Sequence, residues 1–228
     1  MSNMCDVPVI TIDGPSGTGK GTLSYKLAKY LGWHFLDSGA IYRVLGIAAV
    51  KSGVSFDSVD DLVELALNLD LKFIAEDDFV IKIYLNNTDV TNDCRSEVAG
   101  QNASKISSIP QVREALLARQ RAFALSPGLV TDGRDMGTVV FPNAQLKIYL
   151  DATPDERAKR RFLQLQGRGI DVSLKQVLDE LTERDIRDMA RLHAPLKAAP
   201  DAILVDTTGL TIVQVFASIL QLVRESFR

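Results

Sequence analysis

The chain has 228 residues, 26 of them Lys or Arg and 29 Asp or Glu, for a net charge of −3, and 46% are hydrophobic against 24% charged; this globular composition excludes a disordered or collagen-like chain, and at roughly 150 residues per domain it predicts one body with at most a modest insertion. The acidic balance lacks the strong basic excess of a general nucleic-acid binder. The longest apolar run, Val44 to Val50, falls far short of the roughly 18 residues of a membrane helix, the opening MSNMCD lacks a secretory pattern, and Cys5 and Cys94 form no CxxC pair, so a cytoplasmic protein without membrane contact, zinc knuckle or disulfide scaffold is expected.

Val7 to Asp13 reads as a strand that is apolar on both faces, the kind found in a parallel sheet covered by helices. Gly14 to Gly21 is a glycine-rich turn, and Leu23, Leu27, Tyr30 and Leu31 then recur at helical spacing. Strand, glycine loop and helix open an α/β unit. His34–Asp37 is a second strand, followed by helical patterns at about 39–52 and 58–68. Leu71 to Ala75 and Val80 to Leu85 form a hairpin across Glu76-Asp77-Asp78. Helical patterns return at about 95–107 and 110–125, ending at Pro127-Gly128, and strands follow at Leu129–Asp132 and Leu146–Leu150. Thr153-Pro154-Asp155-Glu156 predicts a capped helix start with a capping box, and Ser173 to Gln176 repeats it. A strand at Ala202–Val205 and a helix at 211–224 close the chain. The segment from about 58 to 108 interrupts the alternation and reads as an insertion.

The strongest signal is Gly14-Pro15-Ser16-Gly17-Thr18-Gly19-Lys20-Gly21-Thr22. Glycines let successive N–H groups turn inward around phosphate oxygens, and the helix behind them points its positive end to the same place. Lys20 adds a full charge that can follow the β- and γ-phosphates. The strand before and the helix after give the context that separates a nucleotide site from an ordinary glycine turn. Gly21 occupies the position where the general pattern has a hydroxyl for Mg²⁺, so water is expected to take that place. The ending Gly19-Lys20-Gly21-Thr22 resembles the nucleoside monophosphate kinases.

Three further segments, Asp37-Ser-Gly-Ala-Ile-Tyr-Arg43, Asp132-Gly-Arg-Asp-Met-Gly-Thr138 and Arg184-Asp-Ile-Arg-Asp-Met-Ala-Arg191, resemble bacterial cytidylate kinases, and the resemblance runs from about Val7 to the last helix. It implies an α/β fold of the P-loop type: a parallel β-sheet core flanked by helices (about 1–57, 109–152 and 190–228), a nucleotide-binding insertion with a small antiparallel sheet (58–108), and a short helical lid (153–172). The implied activity is transfer of the γ-phosphoryl group of ATP, with Mg²⁺, to CMP or dCMP, by a monomer whose partners are these nucleotides and not nucleic acid.

The residues suit that chemistry. A phosphate acceptor already carries an anionic oxygen, so no general base is needed; cations are needed to hold two repelling phosphates in line. Arg184, Asp188 and Arg191 share one helix face, which a solvated ion-paired helix also explains. The resemblance implies that Arg184 and Asp188 meet the ribose and that Arg191 joins Arg43 and Arg134 around the acceptor phosphate. It implies that Ser38, Ser104, Arg113 and Asp135 meet the cytosine base, with Tyr42 beside Arg43 in the substrate site. Ser38 also reads as a helix cap, and Ser104 alone as a surface serine. Arg157, Lys159, Arg160 and Arg161 read as an exposed basic face or as lid cations; Arg157 and Arg161, one turn apart, join Lys20 as catalytic candidates. Asp132, ending a strand beside the loop, is the magnesium candidate, directly or through water, with Asp13 a weaker one. A broader UMP/CMP kinase is the rival within the class. A GTPase-like switch lacks its N-K-x-D motif here, and an RNA-binding module lacks both charge and pattern.

Overall fold

In the computed structural model, which describes residues 7–76 and 80–227, the elements are in chain order β1 (Val9–Asp13), α1 (Lys20–Leu31), β2 (His34–Asp37), α2 (Ser38–Lys51), α3 (Val59–Leu67), β3 (Leu71–Glu76), β4 (Val80–Leu85), β5 (Thr88–Asp89), α4 (Thr91–Cys94), α5 (Glu97–Ile106), α6 (Pro110–Arg121), β6 (Leu129–Gly133), a π-turn (Met136–Val140), β7 (Leu146–Asp151), α7 (Pro154–Gln166), α8 (Leu174–Met189), β8 (Ile203–Asp206) and α9 (Ile212–Ser226). They form two units, one from the chain up to Asp37 together with Arg121 onward, the other from Ser38–Gln120. No helix among the described residues is long and apolar enough to cross a membrane.

The first unit is built on a five-stranded parallel sheet of order β2-β6-β1-β7-β8. All five residues of β1 are buried, as its unbroken apolar run predicts for a central parallel strand. Ile10, Ile12, Leu23, Leu27 and Leu150 are fully buried in a core closed by Val215, Ile219 and Val223 of α9. Each such aliphatic side chain contributes about 1.5–3 kcal/mol of burial free energy. The register pairs Asp13 with Gly133 and Asp37 with Asp132, so three acids leave the sheet at one C-terminal edge. Ligands of open α/β sheets bind at that edge. Helices α7 and α8 share a small core of their own around Ala158, Leu165, Val177 and Leu181.

The second unit packs α2 to α6 with an antiparallel sheet of order β3-β4-β5. The segment expected as an insertion, 58–108, falls inside it, together with α2 and most of α6. The hairpin of β3 and β4 is present; Asp77 and Asp78 of its expected turn lie outside the described residues, as does Cys5. The two-residue β5 has no apolar pattern to betray it. It follows Asn86 and Asn87 at φ 48° and 61°, a tight turn that asparagine tolerates.

Several expected boundaries shift. The helix expected at 95–107 is α5, Glu97–Ile106, which Ser96 caps, its Oγ accepting from Ala99 N at 3.1 Å, and the short α4 at Thr91–Cys94 precedes it without having been expected. Thr153 and Ser173 cap α7 and α8 as expected, accepting from Glu156 N and Gln176 N. Their expected capping boxes are half made, since Glu156 turns to Arg160 and Gln176 to Glu180. The reciprocal box is at Thr211 and Gln214, ahead of α9.

Candidate active site

Gly19, in the left-handed conformation, caps α1 without a side chain, and no acid sits in the first turn of that helix. The positive end of α1 is thereby left for an anion. The loop holds itself together: Thr18 Oγ1 and Lys20 Nζ both donate to the Pro15 carbonyl, at 3.1 and 3.0 Å. Gly17 has φ 86°, and a Cβ there would lie 2.8 Å from Arg157 Cβ, so the loop requires glycine on both counts.

Lys20 is 9% exposed. Burial, reinforced by Arg134, lowers its pKa from 10.5 to about 7, against the pull of Asp132 and Asp37; Arg184 lowers it further. Lys20, Arg134, Arg184, Asp132 and Asp37 therefore act on one small region of the first unit. The role of Asp37 was not singled out by sequence reasoning, and its register beside Asp132 explains it.

Asp188, 1% exposed, accepts from Arg134 Nε at 3.0 Å with Oδ2 and from Arg191 with Oδ1. Helical spacing puts Asp188 on one face with Arg184 and Arg191; its ion pairs include Arg191 and also Arg134, which comes from a different element. Two of the three arginines expected at the acceptor phosphate are thus held by the acid expected at the ribose.

Arg157 is 6% exposed and faces inward. It donates to Ala152 O (3.0 Å), Ser16 O (3.1 Å) and Asp185 Oδ2 (2.6 Å), tying the phosphate loop to α7 and α8. Arg160 is spent on Glu156, Thr207 and Leu210. Arg161 is half-buried and donates to Gln164 at 2.7 Å. The basic run is therefore not a uniform exposed face.

Asp132 is 4% exposed at the end of β6. A Cβ on Gly21 would come 3.9 Å from its Oδ2, so this carboxylate faces the first turn of α1. One hard oxygen donor beside a phosphate cradle fits Mg²⁺, which keeps most of its waters and takes one or two carboxylates. Among the described residues no cluster of three or more His, Cys, Asp or Glu offers a metal cage. Asp13 is placed differently: its oxygens accept from Met136 N (2.9 Å) and Gly137 N (2.8 Å), a role for which its sequence position gave no signal.

The second unit carries Ser38, Tyr42, Arg43, Ser104 and Arg113. Ser38 Oγ donates to Gln120 Oε1 at 2.8 Å. Ser104, 1% exposed, is no surface serine. Its carbonyl accepts from Ser107 Oγ at 3.2 Å, and the Ser107 carbonyl accepts from Arg113 at 3.2 Å. The Arg113 guanidinium sits 5.6 Å from the centre of the Tyr42 ring. Ser104, Arg113 and Tyr42, on three helices, are thus drawn together locally, and Arg43 is half-buried on α2.

Cations converge on the phosphate loop of the first unit, while both histidines are exposed. Such a site moves a phosphoryl group between oxygens that need no deprotonation, and it places the chain among the phosphate-loop nucleotide kinases. The family model for cytidylate kinase matches residues 10–225. A cytidylate kinase of Photobacterium profundum is 58% identical over 210 residues, 92% of each chain, and one of Vibrio cholerae is 58% identical over 214 residues, 94% of this chain and 95% of that one. A solved structure from Eubacterium ventriosum, of an uncharacterised protein, aligns with a TM-score of 0.52 at 12% identity over 96% of this chain and 99% of its own, a likeness of fold alone. The chain belongs to the cytidylate kinase family, and it is a nucleoside monophosphate kinase.

Proposed function

We propose the following division of labour for phosphoryl transfer from ATP to CMP or dCMP, giving ADP and CDP or dCDP. The glycine loop, Gly14 to Thr22, takes the ATP phosphates on its backbone N–H groups. Lys20 leaves the Pro15 carbonyl for the β- and γ-phosphate oxygens, where charge grows as the bridging bond breaks. Arg134 and Arg191, oriented by Asp188, hold the acceptor phosphate with Arg43, so that its oxygen attacks in line. Arg184 and Asp188 meet the pentose. Asp135 and Ser104 accept from the cytosine amino group, and Arg113 donates to its N3. Asp132 would hold Mg²⁺, directly or through water, and the ion would supply neutralisation of the phosphate oxygens when bound with ATP.

Arg161, on the outer part of the lid helix, is the residue that reaches the transferring group, while Arg157 steadies the loop from below. The enzyme works as a monomer in the cytoplasm, with these nucleotides as its partners. The observation that carries the reading is the gathering of Lys20, Arg134 and Arg184 around one region, with no histidine among the charged groups that act on Lys20. ADP release from ATP, followed by a coupled assay with and without CMP, tests it. Turnover should require CMP; equal ATP hydrolysis in its absence would point to a nucleotide switch instead.

A further inference from the structure

Asp13 closes β1 one residue before the phosphate loop, yet its side chain serves the segment after β6. Its carboxylate accepts the N–H groups of Met136 and Gly137, the first two residues of the π-turn, which follows directly on Arg134 and Asp135. A helical turn leaves its first N–H groups to a capping side chain. The Asp135 side chain makes no such bond, so Asp13 supplies the cap from another strand. The turn in its own right grips Asp135, whose carbonyl accepts from Val139 N (2.9 Å) and Val140 N (3.2 Å). It also lies directly on the sheet: a Cβ on Gly137 would come 2.9 Å from Thr11 Oγ1 and 3.2 Å from Lys147 Cδ. Burial raises the pKa of Asp13 to about 6, with the N–H bonds of Gly137 and Met136 opposing it. An ionised carboxylate here costs the fold stability, and an asparagine would avoid that cost while losing half the grip on the turn.

We propose that Asp13 is a positioning residue for phosphoryl transfer, locking the π-turn to the root of the phosphate loop so that Arg134 and Asp135 stand in a fixed relation to Lys20. This rests on the reading that Arg134 serves the phosphates and Asp135 the cytosine. In Asp13→Asn an amide NH₂ replaces one acceptor and opposes a backbone N–H. With folding verified by thermal melting, kcat should fall about 30-fold or more while KM for ATP changes less than about threefold, since the loop itself is untouched. The preference for CMP over UMP should narrow, as it should in Asp135→Ala, which removes the proposed acceptor for the cytosine amino group. The double variants Asp13→Asn/Asp135→Ala and Asp13→Asn/Arg134→Ala should lose less than the product of the single effects, because residues acting as one unit are not additive.

A folded Asp13→Asn protein with parental kcat and base preference, or fully multiplicative double variants, would overturn the proposal. If Asp135→Ala leaves the preference intact, the base reading fails on its own. The cycle with Arg134→Ala then decides Asp13: non-additivity supports the lock and additivity refutes it. If Asp13→Asn does not fold, Gly137→Ala carries the test, because it lifts the same turn from Thr11 with Asp13 in place. A loss of kcat at unchanged KM for ATP supports the lock, and unchanged kcat overturns it.

Discussion

Replacing Asp188 by alanine tests how the acceptor arginines are held. Its carboxylate is 1% exposed and is shared by Arg134, through Nε at 3.0 Å, and Arg191. Removing it leaves two guanidinium groups, 13% and 4% exposed at the side chain, facing each other without the counter-ion between them. Breaking a buried ion pair costs about 3–5 kcal/mol; because Arg134 retains some access to water, the low end, about 3 kcal/mol, applies. For a chain of this size that is a fall in Tm of about 6–12 °C. The kinetic effect has a separate origin. Both arginines lose their fixed direction, and a misplaced positioning group costs about 100-fold, so kcat/KM for CMP should drop by about that factor or more. Asp188→Asn, which keeps the shape and one acceptor, should fall between the two. Sulfate should raise the Tm of Asp188→Ala more than that of the parent, because an anion can enter the place the carboxylate left. Thermal melting with and without sulfate, beside steady-state kinetics on CMP, reads all three effects. A destabilised Asp188→Ala protein with kcat/KM within threefold of the parent would show that the cluster is structural and that the acceptor phosphate binds elsewhere.

Lys20→Met should lower kcat at least ~100-fold, about 2.7 kcal/mol, since the lysine charge matters most in the transition state; removing a desolvated charge should leave Tm unchanged or higher, and near-normal turnover contradicts its assignment. Arg157→Lys keeps the charge but not the fork that reaches Ala152, Ser16 and Asp185, so KM for ATP should rise about tenfold with a smaller change in kcat; an unchanged KM separates Arg157 from the loop. The raised pKa of Asp13, from 3.8 to about 6, makes the native state bind a proton more tightly than the unfolded chain. Stability from this group is present below the unfolded value and lost as pH rises through 6. By urea unfolding, the parent should therefore lose about 3 kcal/mol relative to Asp13→Asn between acidic and neutral pH, at 1.36 kcal/mol per pKa unit; a difference flat with pH would show that Asp13 titrates normally.

The strand, glycine loop and helix at the start of the chain were legible because local pattern and chemistry agree there: an apolar run, four glycines and one lysine within a few residues. The strands Leu129–Gly133 and Leu146–Asp151 were legible as 129–132 and 146–150, short stretches rich in β-favouring Val, Thr, Ile and Tyr, although Thr131, Asp132 and Lys147 interrupt their apolar residues. The π-turn was not, because Met136–Val140 has no period that distinguishes it. Asp13 looked like a metal candidate because it is an acid beside a phosphate loop; its partners are backbone N–H groups 123 and 124 residues away, which leave no mark in sequence. Helical spacing put Asp188 on one face with Arg184 and Arg191, because it sees only neighbours on one helix. Arg134 enters from the end of β6, so that pairing depends on the fold. The basic run from Arg157 to Arg161 was visible as a cluster, while the inward turn of Arg157 depends on Asp185 and the Ser16 carbonyl, both distant in the chain.

The central claim is that the site reads cytosine on a monophosphate acceptor. Cytosine presents an amino donor and an N3 acceptor where uracil presents an acceptor and an N3–H donor, so Asp135, Ser104 and Arg113 would face like polarity with uracil. The most direct measurement is kcat/KM for CMP, dCMP, UMP, AMP and GMP with ATP and Mg²⁺ under one set of conditions. CMP and dCMP should exceed UMP by roughly 100-fold or more, at about 1–3 kcal/mol for each misplaced contact. Equal use of CMP and UMP would contradict the base-reading scheme and favour a broader pyrimidine monophosphate kinase.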